Sequence, residues 1–506
     1  MTHMPSNSSR QPSRKRVAES HSDQLLISQE SGETPGASVA QNGQVSDPTL
    51  CEAVRNAMER VECDIASGPV VPVVTPQQIR DYLNTHYDFS KPRALDEIGA
   101  DVERMLRTWQ VQITHPRYFG LFNPSVTLAS VIADTLVAMY NPQLASWRSS
   151  PAANEMERHT LSWLAGKFGL PDNTAATFTT GGAEANLSGV VAALTRTFPG
   201  YGEHGLRCLA ASPVIYLTSE AHHTFNKIAH MTGLGRGALR TVATDLDLRM
   251  DVEDLAKRVA EDRKNGLAPF LVVGTAGTTA AGVIDPLVDL ERFCRSEGLW
   301  FHVDAAWGGA AVLVPGLKGY LAGIERADSI TCDAHKWFSV PMSAGMFFCR
   351  HPDSVGEAFR TETSYMPGAT AGPVVDPYMT SVQWSRRFIG LKLFLSLAHN
   401  GESGYVRMIE HQTHMGQVLR ELLKRSGWRV VNTTPLPLIC FTRDGLDTGK
   451  FVSALQERQI AWMSEVQLRG ERVVRACITS FRTTEADIRC VVREMNRLTQ
   501  GSGGIA

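Results

Sequence analysis

Apolar and polar positions change their rhythm along this chain. From residue 50 to about 113 the spacing is helical, in LCEAVRNAMERVECDIA (50–66), TPQQIRDYLNTHYDF (75–89) and LDEIGADVERMLRTWQVQI (95–113). Thr75 stands as an N-cap with Pro76 in the first turn. VTLASVIADTLVAMY (126–140) reads as an amphipathic core helix, and PAANEMERHTLSWLAGKFGL (151–170) as another with Leu161, Leu164 and Phe168 on one face. Short apolar runs then alternate with helical ones. ATFTT precedes AEANLSGVVAALTRTF, VIYLTS precedes HHTFNKIAHMTG, LRTVAT precedes DVEDLAKRVAEDRKNG, and PFLVVGTAG, LWFHVDAA and DSITCDA continue the series. This alternation predicts an α/β domain with a mostly parallel sheet covered on both faces. Beyond about 390 a single long helix is expected over 391–422. The strand-like WRVVN, PLICFT and VVRACIT and a last helix from Thr484 follow, as in a small α+β domain.

The resulting division is a disordered tail at 1–48, a helical segment at 49–125, a large α/β domain at 126–390 and a small α+β domain at 391–500. The tail is rich in Ser, Gln, Gly and Pro and poor in large apolar residues, too few to offset the entropy of ordering.

Composition narrows the function classes. The chain has 506 residues, 43% hydrophobic and 20% charged, with a net charge of −2. Neither nucleic-acid nor anionic-membrane binding is indicated. No apolar run reaches the roughly 18 residues of a membrane span, since Asp134 interrupts the longest. The nine cysteines are scattered without a C-x-x-C pair, which suits a reducing compartment, and no signal-like segment opens the chain, so the expected location is cytoplasmic.

The chemistry gathers at strand ends, where open parallel sheets bind ligands. In SITCDAHKWFSVPMSAGMFFCR (329–350) Lys336 stands among apolar residues. Burial depresses a lysine pKa and makes a nucleophilic amine, so Lys336 is expected to form a Schiff base with an aldehyde cofactor. TTGGAEAN (179–186) joins a strand to a helix. Its glycines suit either a phosphate at the helix start or an ordinary tight turn, and it is neither a Walker loop nor a dinucleotide fingerprint. HVDAAWGG (302–309) ends an apolar strand with Asp304, which needs a partner: a protonated pyridine nitrogen, an ion-pair cation or a metal. EAHHTFNK (220–227) offers a histidine to stack on a ring or to bond locally.

TTGGAEAN, AHHT, HVDAAWGG and DAHKW, in this order, resemble the group II pyridoxal-phosphate-dependent amino acid decarboxylases, which include aromatic amino acid, glutamate and cysteine sulfinate decarboxylases. The family's lysine signature is matched at Ser329, Lys336, Trp337, Phe338, Met342, Ala344, Phe347 and Arg350. HPRYFGLFNP (115–124), SPAANEMER (150–158) and RRFIGLKLF (386–394) are also similar, and the resemblance spans roughly 50–500.

The resemblance implies a fold-type I pyridoxal-phosphate transferase-like architecture with a seven-stranded sheet. It implies pyridoxal 5'-phosphate as cofactor, an L-amino acid as substrate and a homodimer with active sites at the interface. Lys336 then matches the Schiff-base lysine, Asp304 the partner of the ring nitrogen, His222 and Ala306 the residues on the two ring faces, and Thr279 a residue near the ring hydroxyl, with Thr278 adjacent. Gly182, Ala183 and Asp333 fall at phosphate-binding positions, and His335 at the residue before the lysine. Tyr365, on the Gly/Pro-rich stretch 361–373, matches the tyrosine that protonates the α-carbon after CO2 loss. With Tyr365 and His222 both present, simple decarboxylation to an amine is expected. The alternative is decarboxylation coupled to deamination, or another lyase reaction of the same cofactor.

Three departures are visible. Gly181, Gly182 and Ala183 stand where relatives often carry serines, Trp307 is bulky, and Ala145 replaces the large ring of an aromatic-specific relative. Arg117, Arg148 and Arg386 are candidates for an acidic side chain, or for structural ion pairs.

Overall fold

Seven strands form the main sheet: β1 (Ala175–Thr179), β2 (Pro213–Thr218), β3 (Leu239–Val242), β4 (Ala268–Thr275), β5 (Trp300–Asp304), β6 (Ser329–Asp333) and β7 (Gly345–Cys349). The computed structural model describes residues 55, 59–61, 65, 68–123, 125–361 and 374–500. Tyr365 and the expected tail lie outside the described residues. Strand order is β1-β7-β6-β5-β4-β2-β3. β3, β2, β4, β5 and β6 run parallel, and β7 is antiparallel to both its neighbours. This is the α/β, mostly parallel sheet expected.

Every residue of β2, β5, β6 and β7 is buried, as coverage on both faces requires. Neighbouring residues of a strand enter different cores: Val214 and Tyr216 one, Ile215 and Leu217 the other. Helix α5 (Gly182–Thr197), which follows β1, supplies Ala185, Val190 and Leu194 to the second core and packs across β5, β6 and β7. Helices α7 (Val252–Lys264) and α8 (Leu287–Glu297) supply Leu255 and Leu290 to the first.

The earlier helices start and stop for local reasons. α1 (Pro76–His86) opens with a reciprocal capping box between Thr75 and Gln78, with Pro at its start. α2 (Leu95–Trp109) follows, and α4 (Pro151–Phe168) buries Leu161, Leu164 and Phe168 before Gly169 ends it at φ 75°. Between them α3 (Leu128–Tyr140) departs from the core helix expected. Ala129, Ala133 and Val137 are buried, but Leu128, Ile132, Leu136, Met139 and Tyr140 face outward. Its sequence is apolar nearly all round, so one face remains after the other has packed.

The long helix α10 (Leu391–Arg425) is also interrupted, at Gly401 (φ 64°, ψ 172°). Beyond it a second, antiparallel sheet has the order β10-β11-β9-β8, from β8 (Arg429–Val430), β9 (Leu438–Thr442), β10 (Ser464–Leu468) and β11 (Glu471–Cys477). Phe441, Phe451, Val474 and Ile488 share its core with Leu419 and with Phe119, far earlier in the chain. The Cys477 N–H donates to the Phe119 carbonyl at 3.0 Å. The segment around Phe119 is thereby fastened to the second sheet, and this fixes the position of Phe122.

Candidate active site

A cavity of about 220 Å³ opens at the carboxyl ends of the parallel strands. Its floor is the start of α5. Gly181, Gly182 and Ala183 line it, where the first N–H groups of a helix lack intrahelical acceptors. The second glycine is required by space. A Cβ at Gly182 would lie 2.9 Å from Asp333 Oδ2 and 3.3 Å from the Ala306 Cβ.

Asp304 ends β5 and lines the same cavity, 4% exposed. Asn186 Nδ2 donates to its Oδ2 at 2.9 Å, and the Ala306 N–H to its Oδ1 at 3.1 Å. Asn186 lies one helical turn after Gly182, so α5 serves the cavity floor and the aspartate together.

Lys336 departs from the apolar surroundings expected of it. Its Nζ is 3.0 Å from Asp333 Oδ2, its side chain is 21% exposed, and it lies 5.8 Å from the centre of the Phe122 ring. The segment after β6 turns back on itself, so a residue three positions earlier becomes its counter-ion. His335 Nδ1 accepts the Ala344 N–H at 3.1 Å, and burial lowers its pKa, with Asp333 opposing. His222 Nδ1 accepts the Thr224 N–H at 3.2 Å. Burial lowers the pKa of His222 too, with Asp304 opposing. Both imidazoles line the cavity.

The two adjacent threonines separate cleanly. Thr278 is fully buried and its hydroxyl accepts the Val283 N–H at 3.0 Å, which closes a loop. Thr279 is the one that lines the cavity. Arg386, a candidate for an acidic substrate, is buried and held by Glu157 at 2.6 Å and by the Phe178 carbonyl. Burial raises the pKa of Glu157 and the guanidinium opposes it. Arg117 and Arg148 do not line the cavity.

Three contributors were not picked from the sequence: Asn186, Phe122 and Arg475. Asn186 stands inside TTGGAEAN, and its spacing from Gly182 was the available signal. Phe122 stacks on Trp307 at 4.4 Å and lines the cavity. Arg475, 1% exposed on β11, lies 4.9 Å above Phe122 and donates to the carbonyls of Thr279 (2.9 Å) and Gly120 (2.7 Å). A cation inside the apolar strand VVRACIT was its signal.

The polar groups around the cavity fit a phosphorylated aromatic cofactor. Asp333, Thr275 and Trp307 line it, and among the described residues Asp333 Oδ1, Thr275 Oγ1 and Trp307 Nε1 are buried without a hydrogen-bond partner. Buried polar atoms of this kind are normally satisfied by a ligand or by water.

Fold and site together define a pyridoxal-phosphate-dependent enzyme. Residues 76–443 match the model of the pyridoxal-dependent decarboxylase conserved domain, and the chain belongs to that family. It is a carboxy-lyase, removing CO2 from an L-amino acid to leave the amine. It is 27% identical over 456 residues to the aromatic-L-amino-acid decarboxylase of Bacillus atrophaeus, covering 86% of this chain and 92% of the other. It is 31% identical over 444 residues to the histidine decarboxylase of Drosophila melanogaster, covering 84% and 52%. The solved structure of Catharanthus roseus tryptophan decarboxylase in complex with L-tryptophan has the same fold, with a TM-score of 0.83 at 24% identity over 91% of this chain and 100% of that one.

A buried carboxylate braces the loop that carries Thr279. Asp285 accepts the N–H groups of Thr275 and Met250, each at 2.7 Å. Burial raises its pKa to about 6, against these two hydrogen bonds. A raised folded-state pKa means that the stabilisation is complete below the unfolded value of about 4 and is lost as pH rises through about 6. The full difference is about 3 kcal/mol. Asp285→Asn removes this titration, so wild type should lose melting temperature relative to the variant between acid and mildly alkaline buffer. Parallel melting curves across that range would refute the assignment.

Proposed function

We propose that Lys336 Nζ carries the cofactor's aldehyde carbon and that the Asp304 carboxylate pairs with the pyridine N–H. The N–H groups of Gly182 and Ala183 hold the phosphate, His222 and Ala306 flank the ring, and Thr279 lies near the ring hydroxyl. The supporting observation is that Lys336, Asp304 and the start of α5 line one cavity. When bound, pyridoxal phosphate supplies an electron sink for the pair left as the α-carboxylate departs. Asp304, oriented by its two donors, would hold the positive charge on the ring nitrogen. Asp333, 3.0 Å from Lys336 Nζ, would serve as the counter-ion of that amine whenever it is free and charged. A carboxylate placed directly on a phosphate would repel it. His335 fixes the turn through Ala344. Arg475 shapes the cavity wall from behind: it holds the carbonyls of Thr279 and Gly120 and lies over the outer side of the Phe122 ring. Tyr365 delivers the proton to the α-carbon, an assignment that rests on its place in the sequence.

The substrate is an L-amino acid with an uncharged side chain. No arginine lines the cavity among the described residues, and Arg386 is committed to Glu157. The relatives named for aromatic amino acids and histidine agree with this choice. A second copy of the chain covers the outer face of α3, which leaves Ile132 and Leu136 exposed. The cytosol is the proposed location. No described helix is long and apolar enough to cross a membrane, and Cys294, Cys332, Cys349, Cys440 and Cys477 are free and buried. A tagged protein that fractionated with organelles would overturn this placement.

Variants of the purified enzyme test the roles. Lys336→Ala should abolish both the visible cofactor band and CO2 release. Arg475→Lys should keep the band and raise KM about tenfold or more, the effect of losing a charged hydrogen-bonding fork. Tyr365→Phe should keep the band and lose amine formation. An unchanged band in the first, an unchanged KM in the second or native amine output in the third removes that assignment. A CO2-release panel of tryptophan, tyrosine, phenylalanine and histidine against glutamate and cysteine sulfinate tests the substrate class, and turnover confined to the acids would overturn it. Ile132→Asp with Leu136→Asp should shift sedimentation to the monomer. A double variant that sediments like wild type would mean that another surface joins the copies.

A further inference from the structure

From Asp304 a row of buried polar side chains runs along β5 and α5, and only its Asn186 end lines the cavity. Trp300, His302 and Asp304 alternate with Phe301 and Val303 on β5 and so share one face, the face against α5. Trp300 Nε1 is 2.9 Å from Ser329 Oγ, and Ser329 Oγ is 2.7 Å from His302 Nδ1. His302 Nε2 is 3.0 Å from Asn186 Oδ1, and Asn186 Nδ2 is 2.9 Å from Asp304 Oδ2. None of these five residues is more than 5% exposed.

The chemistry of the two ends sets the direction of every bond. An ionised carboxylate only accepts, so Asn186 must turn its NH2 toward Asp304 and its oxygen toward His302. His302 must then carry its proton on Nε2, which leaves Nδ1 to accept from the Ser329 hydroxyl. Ser329 in turn accepts from the indole of Trp300, which can only donate. Thr331 Oγ1, at 3.4 Å from Nε2, is a weaker second contact. Burial lowers the His302 pKa to about 4, against the pull of Asp304, so the ring stays neutral at neutral pH. The helix opposite is shaped to admit it. A Cβ at Gly189, in the interior of α5, would lie 2.9 Å from both Cε1 and Nδ1 of His302. Glycine there costs roughly 1 kcal/mol of helix propensity relative to alanine.

We propose that Trp300, Ser329, His302 and Asn186 form a one-way hydrogen-bond relay, with His302 as its positioning residue, that fixes the Asp304 carboxylate and the oxygen it presents to the ring nitrogen. Each donor polarises the next, and the last bond falls on a charged acceptor, where a hydrogen bond is strongest. The relay rests on the assignment of Asp304 to the ring nitrogen. Because Asn186 rides on α5, it also ties the phosphate end of the cofactor site to the nitrogen end. Besides His302, the titratable groups that feel Asp304 are His222 after β2 and Cys332 on β6.

The test uses apo enzyme of wild type, His302→Leu, His302→Gln and Asp304→Asn. Pyridoxal phosphate is titrated in by absorbance, the bound band is followed across pH, and the apo melting temperature is recorded. His302→Leu should weaken cofactor binding about tenfold and displace the pH midpoint of the band, beyond what the drop in apo melting temperature from leaving Asn186 and Ser329 without a buried partner accounts for. His302→Gln, which keeps an amide N–H for Asn186, should recover most of the affinity. Wild-type binding and titration in His302→Leu would overturn the relay, as would equal losses in the Leu and Gln variants that follow their melting temperatures. If His302→Leu does not fold, Ser329→Ala decides: a loss in the same direction supports the relay, and no change overturns it. Asp304→Asn separates the two levels. If it binds and titrates like wild type, the assignment of Asp304 fails. If it is impaired while the His302 variants are not, the relay alone fails.

Discussion

The charge of Asp304 is the constraint on which the architecture turns. A carboxylate at the end of a strand buried throughout costs several kcal/mol unless donors meet it. One donor is local, the N–H of Ala306 two residues on. The other must come from elsewhere, and α5 brings it by crossing the sheet from β1. β1 is separated from β6 by the antiparallel β7, so α5 has to pass over that strand before Asn186 can reach β5. The glycines at its start then allow the helix to sit close against Asp333 and Ala306.

The ionisable groups near the site fall into two kinds. Lys336 and Asp333 face each other as charges 3.0 Å apart. The imidazoles of His222, His302 and His335 are all pushed toward the neutral form by burial. A neutral imidazole offers one donor and one acceptor at a fixed separation, which suits a part that must orient its neighbours without adding charge. A cofactor with an anionic phosphate and a cationic ring therefore meets few competing charges.

Much of this was legible in the chain. The alternation of apolar runs and amphipathic helices predicted the parallel sheet, because period and burial are local properties of sequence. The capping of α1 by Thr75 and the buried face of α4 were equally readable. TTGGAEAN, HVDAAWGG and DAHKW pointed to the cavity because a strand end, a helix start and a reactive side chain each leave a short signature. Arg475 and Phe122 left none that could be joined. They meet only because Phe119 enters the core of the second sheet, a contact across most of the chain length. The outward face of α3 could not be foreseen, since an apolar helix does not declare which of its sides the core will take. The surroundings of Lys336 were misjudged for a related reason. Apolar sequence neighbours say little about the carboxylate that a reversing loop folds back.

Three duties fall on one stretch of α5: Gly182 at the cavity floor, Asn186 against Asp304 and Gly189 against His302. Each added or deleted residue rotates everything beyond it by about 100° around the helix axis. A single insertion between Gly182 and Asn186 would thus dislodge two partners at once while leaving the hydrophobic count unchanged. This helix can drift in composition on its outer side, but its length is locked. Added residues are accommodated only in the loops that enter and leave it.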